Sequence, residues 1–109
     1  RGKVIVMLEK EPLENGTVRI TFRVSHYIWA DSIALVGEFN DWDATATAMN
    51  RRRTDEDWTA TLELDGGRRY RFRYLLDGRQ WFNDWHADDF EDNPHGSVDS
   101  VVDLTEYVT

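Results

Sequence analysis

The chain has 109 residues, of which 40% are hydrophobic and 31% are charged, and this balance favours a single folded domain over residues 1–109 rather than a disordered chain. The formal net charge is −8, which excludes nucleic acids and anionic membrane surfaces as expected partners, because both require a basic face. There is no cysteine, so disulfides and thiolate metal sites are excluded as well.

The apolar segments are short, and none approaches the roughly 18 residues that a membrane-spanning helix needs. A cytoplasmic location is the default expectation. The chain begins at Arg1 rather than Met, as expected if it is a piece excised from a longer protein.

The first half of the chain carries the hydrophobic patterns of β-strands, and no segment shows a convincing helical period. The segment KVIVML at 3–8 is expected to form the opening strand. Residues 17–24 alternate, which predicts a strand with one buried face formed by Val18, Ile20, Phe22 and Val24. The short apolar run SIALVGE at 32–38 predicts a central strand.

The second half continues this pattern. Residues 58–64 alternate and place on one face Trp58, Ala60, Leu62 and Leu64. The turn residues Asp65-Gly66-Gly67 predict a tight hairpin into the next strand, at 68–76. One face of that strand carries Tyr70, Phe72, Tyr74 and Leu76, and the other carries Arg69, Arg71 and Arg73.

Two more strands complete the prediction. Asp77-Gly78 predicts a second tight turn into RQWF at 79–82, and residues 98–104 are the expected closing strand. Short strands at this spacing, with turn residues between them, predict an antiparallel β-sandwich or barrel.

Five tryptophans in 109 residues are a high count, and their positions differ. Trp58 falls on a predicted apolar face, so we expect it in the core. Trp29 follows the end of a strand and is expected to cover a sheet edge, while Trp85, in an acidic loop, stays unassigned. Trp42 on a polar loop and Trp81 just after a turn have no inward-facing register, so each is either a structural plug or a ligand contact.

An exposed pair of tryptophan rings suits a sugar. The flat C–H face of a pyranose stacks on an aromatic ring, while its hydroxyl groups reach polar neighbours at the side. Arg71 and Arg73 offer several donors each on the wet face of their strand, although they also balance an acidic chain. The polar connections at 40–57 and 83–97 are long for this fold, and long loops in compact domains are often functional.

Other kinds of site find little support. One polar loop carries five acidic side chains, Asp84, Asp88, Asp89, Glu91 and Asp92. They lack the alternation and the central glycine of a calcium-binding loop, so we interpret the segment as a solvated loop and expect no metal and no cofactor.

Catalysis is not expected either. The three histidines, His26, His86 and His95, lie apart without metal-ligand spacing or a paired nucleophile. A glycosidase needs two carboxylates on opposite sides of a cleft, and a small sandwich has no walls to form one. We therefore assign no catalytic residue.

Three segments in a fixed order carry a family resemblance: LVGEFNDWD, then W…L.L..G..YRFRYLLDG..W, then NPHGSVDSVV. Together they resemble the family 48 carbohydrate-binding module, the early-set domain at the N-terminus of isoamylases and glycogen branching enzymes. They are also similar to the glycogen-binding domain of the AMP-activated protein kinase β subunit. The resemblance covers about residues 17–104. It implies an all-β, immunoglobulin-like antiparallel β-sandwich of about seven strands that binds α-1,4-glucans such as glycogen, starch or maltodextrin.

Five positions of the chain match the sugar-binding residues of that family. The resemblance places the two stacking tryptophans at Trp42 and Trp81 and the basic residue before the Asp-Gly turn at Arg73. It places the small hydroxyl residue at Ser97 and the sugar-binding asparagine at Asp99.

Two departures from the family pattern keep two functions open. Trp81 comes one residue later than in the kinase-type module, because Arg79-Gln80 replaces a single residue, and Asp99 when ionised only accepts hydrogen bonds. One hypothesis is a weak, non-catalytic α-glucan-binding module of the kind appended to family 13 glycoside hydrolases. The alternative is an interaction module of the same fold that docks on a catalytic or kinase partner and has lost sugar binding.

Overall fold

The computed structural model describes residues 8–108, and in that range it contains eight β-strands, one short 3-10 turn and no α-helix. The strands are β1 (Leu8–Pro12), β2 (Thr17–Val24), β3 (Ile33–Gly37), β4 (Trp58–Asp65), β5 (Arg69–Leu76), β6 (Gln80–Phe82), β7 (Asp89–Asp92) and β8 (Val98–Asp103). The 3-10 turn spans Glu38–Asn40, directly after β3. The opening strand predicted at 3–8 lies outside the described residues, apart from Leu8. Over 8–108 no helix has the length and apolarity that a membrane crossing requires.

The strands form two antiparallel sheets. The first has the order β1-β2-β4, and the second has the order β3-β5-β8-β7. Strand β6 also belongs to the second sheet, where it pairs with the end of β5 that β8 leaves free. This arrangement confirms the predicted all-β, immunoglobulin-like sandwich, with eight strands in place of about seven.

One hydrophobic core lies between the two sheets. The alternation predicted for 17–24 is confirmed, because every second residue of β2 is buried while the others are partly exposed. Phe22 of the first sheet packs edge-on against Phe72 of the second, with ring centroids 5.1 Å apart. Trp58 belongs to the same core, as predicted.

The hairpin predicted at Asp65-Gly66-Gly67 is wrong. Strand β4 pairs with β2 in the first sheet, whereas β5 pairs with β3 and β8 in the second, so this turn carries the chain from one sheet to the other. The reason lies in long-range contacts, since Gly66 N–H donates to the carbonyl of Gly16 and Gly67 N–H to that of Leu104. The turn residues correctly indicate that the chain reverses direction, but they do not determine whether the strand after the turn pairs with the strand before it.

The prediction of a central strand at 32–38 also needs correction. Strand β3 stands at the end of its sheet and pairs with β5 alone among the strands. Its outer side is covered by the segment 47–49, because Leu35 N–H donates to Thr47 O and Met49 N–H donates to Ile33 O. The apolar run is buried on this side by a loop rather than by another strand.

The prediction of one solvated acidic loop over 83–97 is wrong in two respects. Strand β7 forms within this segment and pairs with β8. The charges of Asp89 and Glu91 are compensated by Arg69, whose Nη2 lies 2.7 and 2.9 Å from their carboxylates, so an acidic sequence is compatible with a strand here. Asp84 is the second exception, because it is only 3% exposed.

Asp84 belongs to a buried polar network between β5 and β8. Its Oδ2 accepts a hydrogen bond of 2.8 Å from the Tyr74 hydroxyl, and its backbone N–H donates to Ser100 Oγ at 2.8 Å. His86 N–H donates to the other carboxylate oxygen at 2.9 Å. Burial raises the pKa of Asp84 above its ordinary value of 3.8, because the ionised form is poorly solvated there.

This shift predicts a pH-dependent effect of Asp84→Asn. A raised folded-state pKa favours folding below the unfolded pKa and loses that contribution as the pH rises through the folded value. The amide cannot ionise, so the free energy of unfolding of the variant, relative to the unchanged protein, is expected to rise with pH. Urea denaturation at a series of pH values between about 3 and 7 measures this slope.

Asp89→Asn is the matched control for that experiment. The hydrogen bond from Arg69 lowers the pKa of Asp89, so its contribution is present above the unfolded pKa and lost as the pH falls. The slope for this variant is therefore expected to have the opposite sign. Equal slopes for the two variants would contradict the assignment of Asp84 as a carboxyl destabilised by burial.

The role predicted for Trp29 is wrong. Its side chain is 92% exposed and covers no sheet edge. The neighbouring residues Ile28 and Ala30 pack against the core instead, which turns the indole of Trp29 outward. Trp85, left unassigned by the sequence, is exposed as well.

Candidate functional site

A shallow cavity lies on the outer face of the second sheet, on the side away from the core. Its volume is about 470 Å³. It is lined by Trp42, Arg71, Arg73, Trp81, Asn93, Pro94, His95 and Asp99. Four of the five residues that the family resemblance singled out, Trp42, Arg73, Trp81 and Asp99, therefore lie together. The fifth, Ser97, is exposed on the adjacent hairpin and does not line the cavity.

Trp42 is presented by a short loop after β3. Phe39 anchors this loop, because its ring packs 5.5 Å from that of Phe22 in the core. The side-chain amide of Asn40 donates to Leu35 O, and its oxygen accepts from Gly37 N–H. The backbone then turns outward with a positive φ of 58° at Trp42, a left-handed conformation that non-glycine residues rarely adopt.

The anchoring of this loop explains how a large apolar residue, Trp42, is accommodated in a polar turn. The N–H of Trp42 donates to Gly37 O at 2.8 Å, so the backbone of the tryptophan is fixed to the end of β3. Its side chain nevertheless stays 39% exposed. Trp42 is thus held in place without being buried, which favours a contact surface over a plug.

Trp81 reaches the same cavity from β6. The predicted turn at Asp77-Gly78 is confirmed, and both residues have the positive φ of a type I′ turn. Strand β6 pairs with β5 so that Trp81 lies opposite Leu75, an outward-facing position of the sheet. The Trp81 side chain is 43% exposed. The aromatic pair, Trp42 and Trp81, therefore contributes two half-exposed rings.

The three outward arginines of β5 have different surroundings. Arg69 is fully engaged by carboxylates, and its hydrogen bonds to Asp89 and Glu91 raise its pKa above the ordinary value. Arg71 is tied to Glu38, which accepts from its backbone N–H at 2.8 Å and from its Nε at 3.3 Å. The described residues offer no hydrogen-bond acceptor to the buried Nε of Arg73.

Arg73 lines the cavity beside Trp81. Its guanidinium carbon is 5.8 Å from the centroid of the Trp81 ring, and its Nε is 4.0 Å from Asp99 Oδ1. The second distance is too long for a hydrogen bond. Because Nε itself is buried, a ligand can meet Arg73 only through the remaining atoms of its side chain, which is 21% exposed overall.

The remaining side of the cavity is built by the hairpin between β7 and β8. Asn93 organises it, because its side-chain oxygen accepts from His95 N–H at 2.9 Å and Ser97 N–H at 3.2 Å. Its amide nitrogen donates to Asp99 Oδ1 at 3.1 Å. Asp99 is 4% exposed, so the carboxylate presents little surface to a ligand.

Sequence reasoning missed Asn93, Pro94 and His95 as cavity residues. The available signal was the turn composition of Asn93-Pro94-His95-Gly96, which marks a tight connection. The partner strand β7 was not predicted, so the direction in which this turn points was not predictable either.

The chemistry available here is binding. The cavity lining holds one carboxylate, Asp99, whereas hydrolysis of a glycosidic bond uses two. Among residues 8–108 no group of three or more His, Asp or Glu side chains is arranged to hold a metal ion. Aromatic rings and hydrogen-bond donors around an open cavity match a ligand with an apolar face and polar edges.

Solved structures of similar fold belong to larger proteins. The enterobactin esterase of Shigella flexneri, in the presence of enterobactin, aligns with a TM-score of 0.73 and 12% identity over 96% of this chain. A second structure of that esterase, with 2,3-dihydroxy-N-benzoyl-serine, has a TM-score of 0.71 and 11% identity over 96% of the chain. The chain spans 34% of the length of both. At these identities the likeness establishes the fold alone. No curated protein matches the chain in sequence.

The family is established by a sequence model. Residues 8–90 match the model of carbohydrate-binding module 48, described as the isoamylase N-terminal domain. That range contains the aromatic pair and Arg73, and it covers most of the sandwich. The chain therefore belongs to the carbohydrate-binding module 48 family, whose members are non-catalytic carbohydrate-binding domains.

Proposed function

We propose that this domain binds α-1,4-glucans such as glycogen, starch or maltodextrin, as a module appended to a family 13 glycoside hydrolase in the cytoplasm. The observation that carries the proposal is the meeting of two half-exposed tryptophans with the partly exposed side chain of Arg73 in one cavity. The glucan class comes from the family resemblance.

The roles of the residues follow from their surroundings. Trp42 and Trp81 stack on the C–H faces of glucosyl units. Arg73 donates to sugar oxygens from the part of its side chain that stays exposed. Asp99 accepts a hydrogen bond from the Asn93 side-chain amide and balances the charge of Arg73. The small part of Asp99 that stays exposed accepts a hydrogen bond from a sugar hydroxyl.

The expected affinity is modest. Burying about 100 Å² of apolar surface on each ring contributes roughly 2.5 kcal/mol apiece. A few hydrogen bonds add around 1 kcal/mol each, and the entropy of association subtracts at least about 4 kcal/mol. The remainder corresponds to dissociation constants between roughly tens of micromolar and millimolar.

Titration of the intrinsic tryptophan fluorescence with maltoheptaose and with β-cyclodextrin tests the proposal. A saturable change is expected with both α-glucans, because the aromatic pair loses contact with water on binding. Cellohexaose, a β-linked glucan, serves as the control and is expected to give none. No change up to several millimolar α-glucan would overturn the proposed function.

A second candidate is a docking module that has lost sugar binding. It is favoured by one observation, the burial of Asp99 against Asn93 where the family places a sugar-binding asparagine. It predicts no glucan binding by the isolated domain and a gain of stability on adding a catalytic or kinase partner. Saturable maltoheptaose binding by the isolated domain would remove its support.

A further inference from the structure

A second, smaller cleft lies on the same outer face. Its volume is about 200 Å³. Its sides are formed mainly by small and uncharged residues, Ala34, Ala44, Thr45, Ala48, Leu75 and Gly78. Ala44, Thr45 and Ala48 belong to the same loop as Trp42 and are exposed. Such a cleft offers van der Waals contact without the cost of removing water from a charge.

This cleft begins where the cavity of the aromatic pair ends. Leu75 lines the cleft, Trp81 lines the cavity, and the two residues are partners in the β5–β6 register. Along β5, the outward position of Leu75 directly follows that of Arg73. A glucan chain that runs from Arg73 past Trp81 therefore reaches the cleft next.

The far end of the cleft adjoins a third cavity. Ser32 and Gly78 line the cleft, while Asp31 and Asp77, their neighbours in the chain, line a cavity of about 590 Å³. The two segments are joined, because Asp77 Oδ1 accepts from the N–H groups of Asp31 and Ser32 at 2.7 and 3.0 Å. The third cavity is also lined by Trp29, whose ring is almost wholly exposed.

We propose that the glucan site continues from the aromatic pair through this cleft to Trp29, so that the domain binds an extended stretch of one α-glucan chain. The inference rests on the proposed function and deepens it by adding two subsites. Ala44 and its neighbours accommodate a glucosyl unit in the cleft, and Trp29 stacks on a unit beyond it. Within residues 8–108 the exposed Trp29 ring contributes nothing to the core, so its exposure is compatible with a ligand contact.

Calorimetric titration with maltotriose and maltoheptaose tests the inference. Maltotriose is short enough to occupy the aromatic pair alone, whereas maltoheptaose also reaches the two further subsites, so it is expected to bind roughly sixtyfold more tightly. Ala44→Phe fills the cleft and Trp29→Ala removes the distant ring. Loss of about 50 Å² of apolar contact corresponds to roughly an eightfold loss of affinity for maltoheptaose. Affinity for maltotriose is expected to stay unchanged in both variants.

The chain provides a matched control for each variant. Ala46→Phe places the same ring on an exposed alanine of the same loop that does not line the cleft, and Trp85→Ala removes an exposed tryptophan that lines none of the three cavities. Both are expected to bind maltoheptaose as the unchanged protein does. Circular dichroism establishes that all four variants are folded.

Two outcomes would overturn the inference, and they differ from failure of the proposed function. Equal affinity of the unchanged protein for the two oligosaccharides would show that no further subsites exist. So would an equal loss of maltoheptaose affinity in a variant and its matched control. If the unchanged protein binds neither oligosaccharide, the proposed function itself fails and this inference fails with it.

Discussion

Trp42→Ala and Trp81→Ala are each expected to abolish retention of the domain on glycogen while leaving it folded. Each ring would lose about 100 Å² of apolar contact with the ligand, and roughly 2.5 kcal/mol corresponds to more than about a fiftyfold loss of affinity. Starting from a dissociation constant between roughly tens of micromolar and millimolar, a loss of that size leaves no measurable retention. Affinity electrophoresis in gels containing glycogen measures the effect.

Folding is expected to survive these changes because both side chains point away from the core. Neither ring belongs to the buried cluster between the sheets. Trp85→Ala is the matched control, since it removes an exposed indole that does not line the cavity, and its retention is expected to be unchanged. Undiminished retention in both Trp42→Ala and Trp81→Ala would sink the assignment of the aromatic pair.

Gly37→Ala is expected to destabilise the domain by about 3 kcal/mol, at the upper end of the usual range for overpacking. A Cβ atom at this position would lie 2.6 Å from Arg71 O and 2.8 Å from Phe72 Cβ, both in the adjacent strand β5. It would also lie 2.9 Å from the Phe39 ring. Backbone atoms cannot move aside as a flexible side chain does, so the sheet itself must shift. Urea denaturation measures the change in the free energy of unfolding.

The same substitution also reaches the binding site. Gly37 O accepts the hydrogen bond from Trp42 N–H, so a displaced Gly37 moves the loop that presents the tryptophan. Gly96→Ala is the comparison, because its Cβ meets nothing within 4 Å and only the positive φ of 79° opposes the change. We expect about 1 kcal/mol there. If Gly37→Ala costs no more than Gly96→Ala, the close approach at Gly37 is not a constraint.

The strands with a strict alternation of apolar and polar residues were predictable from sequence. In β2 and in residues 69–74 of β5 the buried and partly exposed positions alternate as predicted, because each strand has one face on the core. Which strands pair with one another was harder to predict from sequence. Asp65-Gly66-Gly67 fits a hairpin locally, and only contacts with Gly16 and Leu104 make it a connection between sheets.

Strand β7 and the burial of Asp84 were not predictable for a related reason. The negative charge of the acidic strand is compensated by Arg69 of β5, which comes twenty residues before Asp89 in the chain. Asp84 is buried because Tyr74 and His86 N–H provide its hydrogen bonds. Both features depend on contacts with specific partner residues, and the composition of a segment does not reveal those partners.

The residues of the candidate site also divide into those that were predictable from sequence and those that were not. Trp42 and Trp81 stood out because their positions conflicted with the local pattern, and the structure brings them to one cavity. Asn93 and His95 belong to the segment NPHGSVDSVV, but the resemblance assigned them no sugar-binding role and they fit an ordinary turn. The binding roles of Trp42, Arg73, Trp81, Ser97 and Asp99 stay predictions for the experiments above.

The alternation of β5 has a consequence for how such domains diverge. Tyr70, Phe72 and Tyr74 face the core, while the outward positions between them carry the arginines of the ligand surface. Mutations at the outward positions leave the packing of the core unchanged, so ligand preference can drift while the scaffold is preserved. A sandwich of this kind is evolvable because one strand encodes structure and recognition in separate, interleaved sets of codons.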